Sequence, residues 1–449
     1  MRDGTRSTNH AATRYHGAAV VAASWLAVFA LFGIRASFAM LKDPISLDLG
    51  WTQSQVTFGY SLMMVCYAVT AFFSGTLLDR HGSRPVYLIA AVLGGAGLFT
   101  ASGVSTYALY LVSFGLFAGI CTGMLWVTST VSVRTWYVGE RYAGMWGVAF
   151  MGAPLAQFVL AFLMARILVE NDPTTWRTGM ALLASIVLAA LVGAFALARR
   201  SPEHYGLSPA GELRAGSPET ASKQRAAQAA IPAGEPVLPL DQGWTVKQAF
   251  SIYPIWGVMA AFLANMMGEF LIWTQVVSYW SVDLGWPHSR ALGVYGVIGL
   301  VGVGAMPVMG RAADRVVRAC GNEALGRKRM LLAGAALGAV ACALLLLSAH
   351  GMTFAVAACV LFACYWAIVP GGVVGYTGAI YGRVGLGRIW GLATLIVMGI
   401  GPFTGSFLGG YFKDLSGTYT LSLVFALTTF AIAFTLALTL PVRQPARES

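Results

Sequence analysis

Of the 449 residues, 57% are apolar and only 10% are charged, with a mean hydropathy of +0.69. Soluble domains run at roughly 45–50% apolar and about 25% charged, so this composition excludes an ordinary soluble fold. The net charge of +11 would suit a nucleic-acid binder, but the distribution of the cations described below excludes that reading.

A bilayer core of about 30 Å needs about 20 apolar residues per crossing helix. In chain order, a basic tail over 1–16 precedes apolar runs near 17–41, 54–78, 86–103, 106–130, 143–168 and 177–198. The first run is too long for the apolar segment of a cleaved leader and reads as a retained span. Residues 199–251 are expected to form a polar, Pro-rich linker that ends in a short amphipathic element, Thr245 to Phe250, lying at the membrane surface. Six more runs follow near 254–279, 290–310, 329–349, 352–376, 387–411 and 418–440, and residues 441–449 form a tail. The expected fold is therefore all-α, with twelve transmembrane helices in two pseudo-symmetric lobes, 17–198 and 252–440.

The two halves share a pattern at a constant offset of 235 residues. Asp48-Leu49-Gly50-Trp51 matches Asp283-Leu284-Gly285-Trp286, Gly75 matches Gly310, and Asp79-Arg80 matches Asp314-Arg315. Internal duplication of an apolar chain is the mark of a two-lobed transporter. With both termini placed in the cytoplasm, 23 of the 29 Lys and Arg fall on inner segments and five at outer ends, leaving Arg35 alone inside a span. That asymmetry is the positive-inside rule. Trp51 and Trp286 fit an outer aromatic belt, and Thr52 with Gln55 has capping-box spacing for the second span.

The six cysteines have no ligand spacing, and the six histidines fall in tails or loops, so neither a metal site, a cofactor nor an enzyme is expected. Gly-rich runs such as Gly94 to Gly97 suit close helix packing rather than a nucleotide loop, because no strand precedes them. Inside the membrane stand two charges, Arg35 in span 1 and Glu269 in span 7, at nearly equivalent places in the repeat. Intramembrane charges are costly and mark function by default. We expect Arg35 to bind a substrate carboxylate or similar anion and Glu269 to be its proton-sensitive partner. A permanent structural salt bridge, or an Arg35 that reaches for the interface, are the alternatives. Trp126, Trp273, Tyr365 and Trp366 are expected to wall the cavity, and Asn265, Gln275 and Gln157 could supply hydrogen bonds.

Gly75-Thr76-Leu77-Leu78-Asp79-Arg80-His81-Gly82-Ser83-Arg84 resembles the loop 2–3 signature of the major facilitator superfamily. The resemblance implies two lobes rocking about a central cavity. It also implies that Gly75, Asp79, Arg80, Gly82 and Arg84, with the weaker copy Gly310, Asp314 and Arg315, gate the inner side. Trp136-Tyr137 with Arg141 and Gly144, Gly33 to Phe38, Thr245 to Trp256, and Gly401 to Tyr419 resemble the monocarboxylate and oxalate/formate group. That likeness implies transport of a small organic anion with a proton or counter-substrate, by a monomer in a bacterial inner membrane, which the excess of Arg over Lys also suits. Relatives that hold a dicarboxylate imply cations in spans 8 and 11. Here Ala291 to Pro307 and Trp390 to Gly410 contain none, which disfavours a doubly charged substrate. Another small solute, such as a vitamin, metallophore or drug, is the alternative cargo.

Overall fold

The computed structural model describes residues 2–137, 140–169, 172–205, 207, 244–381 and 386–442. Helices α1 to α6 run Arg2–Leu49, Gln53–His81, Ser83–Ser102, Tyr107–Trp136, Met145–Ile167 and Trp176–Leu197. Helices α7 to α12 run Tyr253–Ser278, His288–Cys320, Glu323–Leu347, Met352–Tyr381, Leu386–Ser416 and Thr420–Thr439. All twelve are long and apolar enough to cross a membrane, and no strand occurs among the described residues. Each expected span has its helix. Side chains such as Phe73, Val92, Phe162 and Leu300 remain exposed on the outside of the bundle, as a lipid-facing surface requires.

Helices α1 to α6 pack among themselves, as do α7 to α12, and two broad seams join the groups, α2 against α11 and α5 against α8, with a smaller contact of α1 against α7. Small residues permit the second seam. A β-carbon added at Gly299 on α8 would lie 2.5 Å from the Pro154 carbonyl oxygen and 2.7 Å from the Phe158 nitrogen on α5. Only glycine lets the backbones come that close.

The duplicated Asp-Leu-Gly-Trp has a structural explanation. Gly50 and Gly285 both adopt positive φ, +67° and +66°, at the face opposite the termini, Gly50 directly after α1 and Gly285 just after the π-helical turn Tyr279–Asp283 that continues α7. The aspartate before each one ties down the start of the last helix in its lobe. Asp48 accepts from Trp176 Nε1 (2.9 Å) and Arg177 (3.0 Å) at the head of α6. Asp283 accepts from the Tyr419 amide at the head of α12 and from Lys413 Nζ (2.8 Å) in the last turn of α11. Thr52 and Gln55 form the expected capping box on α2.

One boundary differs from expectation. Helix α1 does not stop near residue 41 but continues through Pro44 to Leu49, so Lys42 and Asp43 lie within it. Proline cannot donate to the carbonyl four residues back. The carbonyl left over, that of Met40, is instead engaged by His288 Nε2 at 3.1 Å. Arg35 is therefore not the only intramembrane cation, because Lys42 is fully buried two turns further along α1.

Between α6 and α7, residues 208–243 of the linker lie outside the described residues, as do 443–449 of the tail. The short helix Val246–Phe250 carries its own Thr245/Gln248 capping box and packs at the start of α7, where Trp256 donates to the Phe250 carbonyl (2.8 Å).

Candidate functional site

A cavity of about 810 Å³ lies between the lobes, walled by residues of α1, α2, α4, α5, α7, α10 and α11. It extends from Arg35, Gln157, Glu269 and Trp273 in the middle of the molecule to Gly75, Val131, Val246 and Trp390 toward the face that carries the termini. Beyond Arg35, at the opposite face, polar contacts join the lobes. Lys42 Nζ donates to Gln275 Oε1 on α7 and to Tyr419 Oη (3.0 Å). The Asp414 carboxylate accepts from the first amides of α2, Gln53 (3.2 Å) and Ser54 (2.8 Å), where the helix dipole favours an anion. Ser61 Oγ donates to the Phe403 carbonyl at 3.0 Å. The structure is thus shut at the far face and hollow toward the termini.

Arg35 and Glu269 both face the cavity but are not joined: among the described residues no ion pair within 4.0 Å involves either. Glu269 is 4% exposed and is held from its own lobe by Trp273 Nε1 (3.2 Å) and Tyr365 Oη (3.0 Å). Arg35 is held by rings. Its guanidinium carbon lies 4.8 Å from the Phe270 centroid and 5.3 Å from those of Phe32 and Tyr67, and Tyr60 lines the cavity beside it. Aromatic faces stabilise a cation without neutralising it, and a planar guanidinium so covered keeps N–H donors at its edge.

Trp126, Trp273 and Trp366 line the cavity as expected. Tyr365 does not. It is fully buried behind Glu269, packed on Phe362 and Phe430, and acts as a support for the carboxylate rather than as a wall. Gln157 lines the cavity while its amide donates to the Tyr295 carbonyl (3.2 Å) across the α5–α8 seam. Asn265 donates to the Ala261 carbonyl (2.8 Å), and Gln275 belongs to the far-face contacts. The collar of Phe32, Tyr60, Tyr67 and Phe270 carries no signal in the sequence, where these are ordinary apolar positions. Lys42, expected among the cations at outer helix ends, lies within α1, on the same face as Arg35 by its seven-residue spacing.

The loop motifs make contacts within their own lobes. Gly75 lines the cavity, Gly82 joins α2 to α3, and Arg80 is exposed. Arg84 reaches the Ala196 carbonyl (3.5 Å) and lies over Phe195. In the second copy Asp314 stands 3.8 Å from Arg327, itself 3.7 Å from Glu323, while Gly310 has open space around it and Arg315 is exposed. The side chains of Asp79, Arg141 and Gly144 lie outside the described residues. No group of three or more His, Cys, Asp or Glu able to hold a metal occurs among the described residues.

A model of the Major Facilitator Superfamily matches residues 24–397, covering both halves of the duplication. The chain belongs to the major facilitator superfamily. Like the other members it is a multi-pass membrane transporter and not an enzyme. Monocarboxylate transporter 13 of Rattus norvegicus is 24% identical over 402 residues, 88% of this chain and 82% of that one. The riboflavin transporter MCH5 of Saccharomyces cerevisiae is 26% identical over 155 residues, 33% of this chain, which spans only 30% of that relative. Among solved structures, a bacterial homologue of the human lysosomal transporter Spinster superposes with a TM-score of 0.70 at 12% identity, covering 94% of this chain and 96% of that one. That likeness concerns the fold of this superfamily member alone.

Proposed function

We propose that this transporter carries a small organic monoanion, of monocarboxylate type, by alternating exposure of the cavity between the lobes, with a proton as the coupled ion. The observation that carries the reading is Arg35: a cation facing a hollow, covered by three rings and joined to no carboxylate. A substrate carboxylate would take its free N–H edge, and such charge-assisted contacts are worth about 1.5–3 kcal/mol each. With one cation lining the cavity, a monoanion fits better than a dianion.

Glu269 suits the proton. It lies in the same cavity wall, buried, with neutral donors rather than a cation as its partners, so its charge depends on what enters beside it. The loop motifs at the termini-bearing face would meet across the lobes when that side closes, as their resemblance implies. We assign that face to the cytoplasm of a bacterial inner membrane, following the cation distribution, with the protein acting as a monomer.

The test is uptake of labelled monocarboxylates into proteoliposomes holding the purified chain, with and without an imposed pH gradient. Gradient-stimulated uptake in the native protein is expected, and Glu269→Gln should keep exchange of substrate for substrate while losing the stimulation. Stimulation of the same size in Glu269→Gln would remove this residue from proton coupling. A second cargo class, a neutral planar vitamin, has the riboflavin relative in its favour over a third of the chain. Uptake indifferent to substrate charge would favour it.

A further inference from the structure

The cavity is lined far more by rings than a small acid needs. One band of rings crosses between the lobes: Trp126 meets Phe150 at 6.1 Å, Phe150 meets Phe32 at 5.6 Å, Phe32 meets Trp366 at 5.7 Å, and Trp366 meets Trp273 at 5.3 Å. Phe262 and Trp390, 5.8 Å apart, line the cavity from α7 and α11. The volume of about 810 Å³ falls within the range of roughly 300–1,000 Å³ that encloses drug-sized ligands. A two- or three-carbon acid seated on Arg35 would leave most of this surface untouched.

Polar groups on the walls are few. Thr394 lines the cavity, and its hydroxyl is buried without a hydrogen-bond partner among the described residues. An unpaired buried hydroxyl is costly unless a ligand satisfies it. Together with Arg35 it supplies polar contacts in an otherwise largely apolar chamber.

We propose that the substrate is a monocarboxylate bearing an aromatic ring, with its carboxylate on Arg35 and its ring against the band formed by Phe32, Phe150, Trp126 and Trp366. This rests on the carboxylate reading above and narrows it. Apolar area gives the affinity, edge-to-face and offset ring contacts add to it beyond area alone, and the single cation fixes which end of the molecule points where. Because Phe32 belongs to one lobe and Trp366 to the other, and their rings already meet, an aryl group laid along the cavity side of the pair touches both, which ties binding to the relative position of the lobes.

The experiment measures inhibition of phenylacetate uptake in proteoliposomes by unlabelled phenylacetate, cyclohexylacetate, butyrate and the neutral phenylacetamide. The expected result is a half-inhibiting concentration for phenylacetate at least tenfold below that for butyrate, with cyclohexylacetate between them and phenylacetamide weakest. Trp366→Leu and Trp126→Leu should each narrow the gap between aryl acid and butyrate to within threefold, and Trp366→Phe should restore it. Equal inhibition by phenylacetate and butyrate in the native protein, or an undiminished gap in both leucine variants, overturns the aryl assignment and leaves the carboxylate reading standing. If phenylacetamide competes as well as phenylacetate, the carboxylate reading falls and this one with it.

Discussion

Arg35 and Lys42 occupy one face of the same helix, seven residues and about 10 Å apart, yet they meet opposite surroundings. Lys42 has no exposure at all, and its ammonium is joined to the other lobe through Gln275 and Tyr419, with Asp43 at 3.8 Å. Arg35 faces the cavity, clasped by rings, with no carboxylate within 4.0 Å among the described residues and with Glu269 acting on its charge only from further off in the same cavity. One helix can thus carry two cations with separate tasks. On the reading proposed above, the cation whose partners are protein groups would hold the lobes shut at the far face, and the cation with no carboxylate within 4.0 Å would take one from solution.

If that division holds, substitutions at the two sites should fail in different ways. The largest effect belongs to Arg35→Met, which keeps bulk but removes the donors. Losing two charge-assisted contacts costs about 3 kcal/mol, so kcat/KM for carboxylate uptake should fall about 100-fold. Lys42→Met should act on conformation. Coupling energies of about 1–3 kcal/mol shift a two-state balance by about 5–150-fold, and a shift near tenfold toward opening at the far face is expected. A cysteine placed there by Ser54→Cys, probed with a membrane-impermeant maleimide, should react about tenfold faster in the Lys42→Met background. Affinity for substrate entering from the termini-bearing face should stay within about threefold, since Lys42 does not line the cavity. Equal losses of affinity in both variants would erase the distinction between the sites.

The smallest effects test the duplicated aspartates. The Asp283–Lys413 pair is the more enclosed, with side chains 9% and 16% exposed, against 16% and 34% for Asp48 and Arg177. Exposed pairs contribute little, and enclosed charge-assisted bonds contribute more. Asp283→Asn should therefore destabilise by about 2 kcal/mol and Asp48→Asn by about 1 kcal/mol, read as a larger drop in the temperature of thermal unfolding in detergent. The reverse order would show that enclosure does not rank the two pairs.

Much of the fold was legible because the bilayer imposes length and apolarity on every crossing segment. The end of α1 was not, because Lys42-Asp43-Pro44 has the composition of a helix terminus. Only the fold reveals that His288 arrives to serve the carbonyl that Pro44 abandons. Arg35 and Glu269 stood out as charges within apolar runs, and both do face the cavity. The collar around Arg35 was invisible, since Phe32, Tyr60, Tyr67 and Phe270 are ordinary apolar residues until three helices bring them to one guanidinium. Tyr365 and Trp366 looked alike in sequence, but neighbours on a helix point about 100° apart. Trp366 therefore faces the cavity while Tyr365 turns to Glu269.

The most direct test of the central claim is equilibrium binding of a carboxylate and its neutral amide to the purified native protein and to Arg35→Gln. The native protein is expected to prefer the carboxylate by about 100-fold, the worth of about 3 kcal/mol, and Arg35→Gln to bind both equally weakly. An undiminished preference for the carboxylate in Arg35→Gln would contradict it.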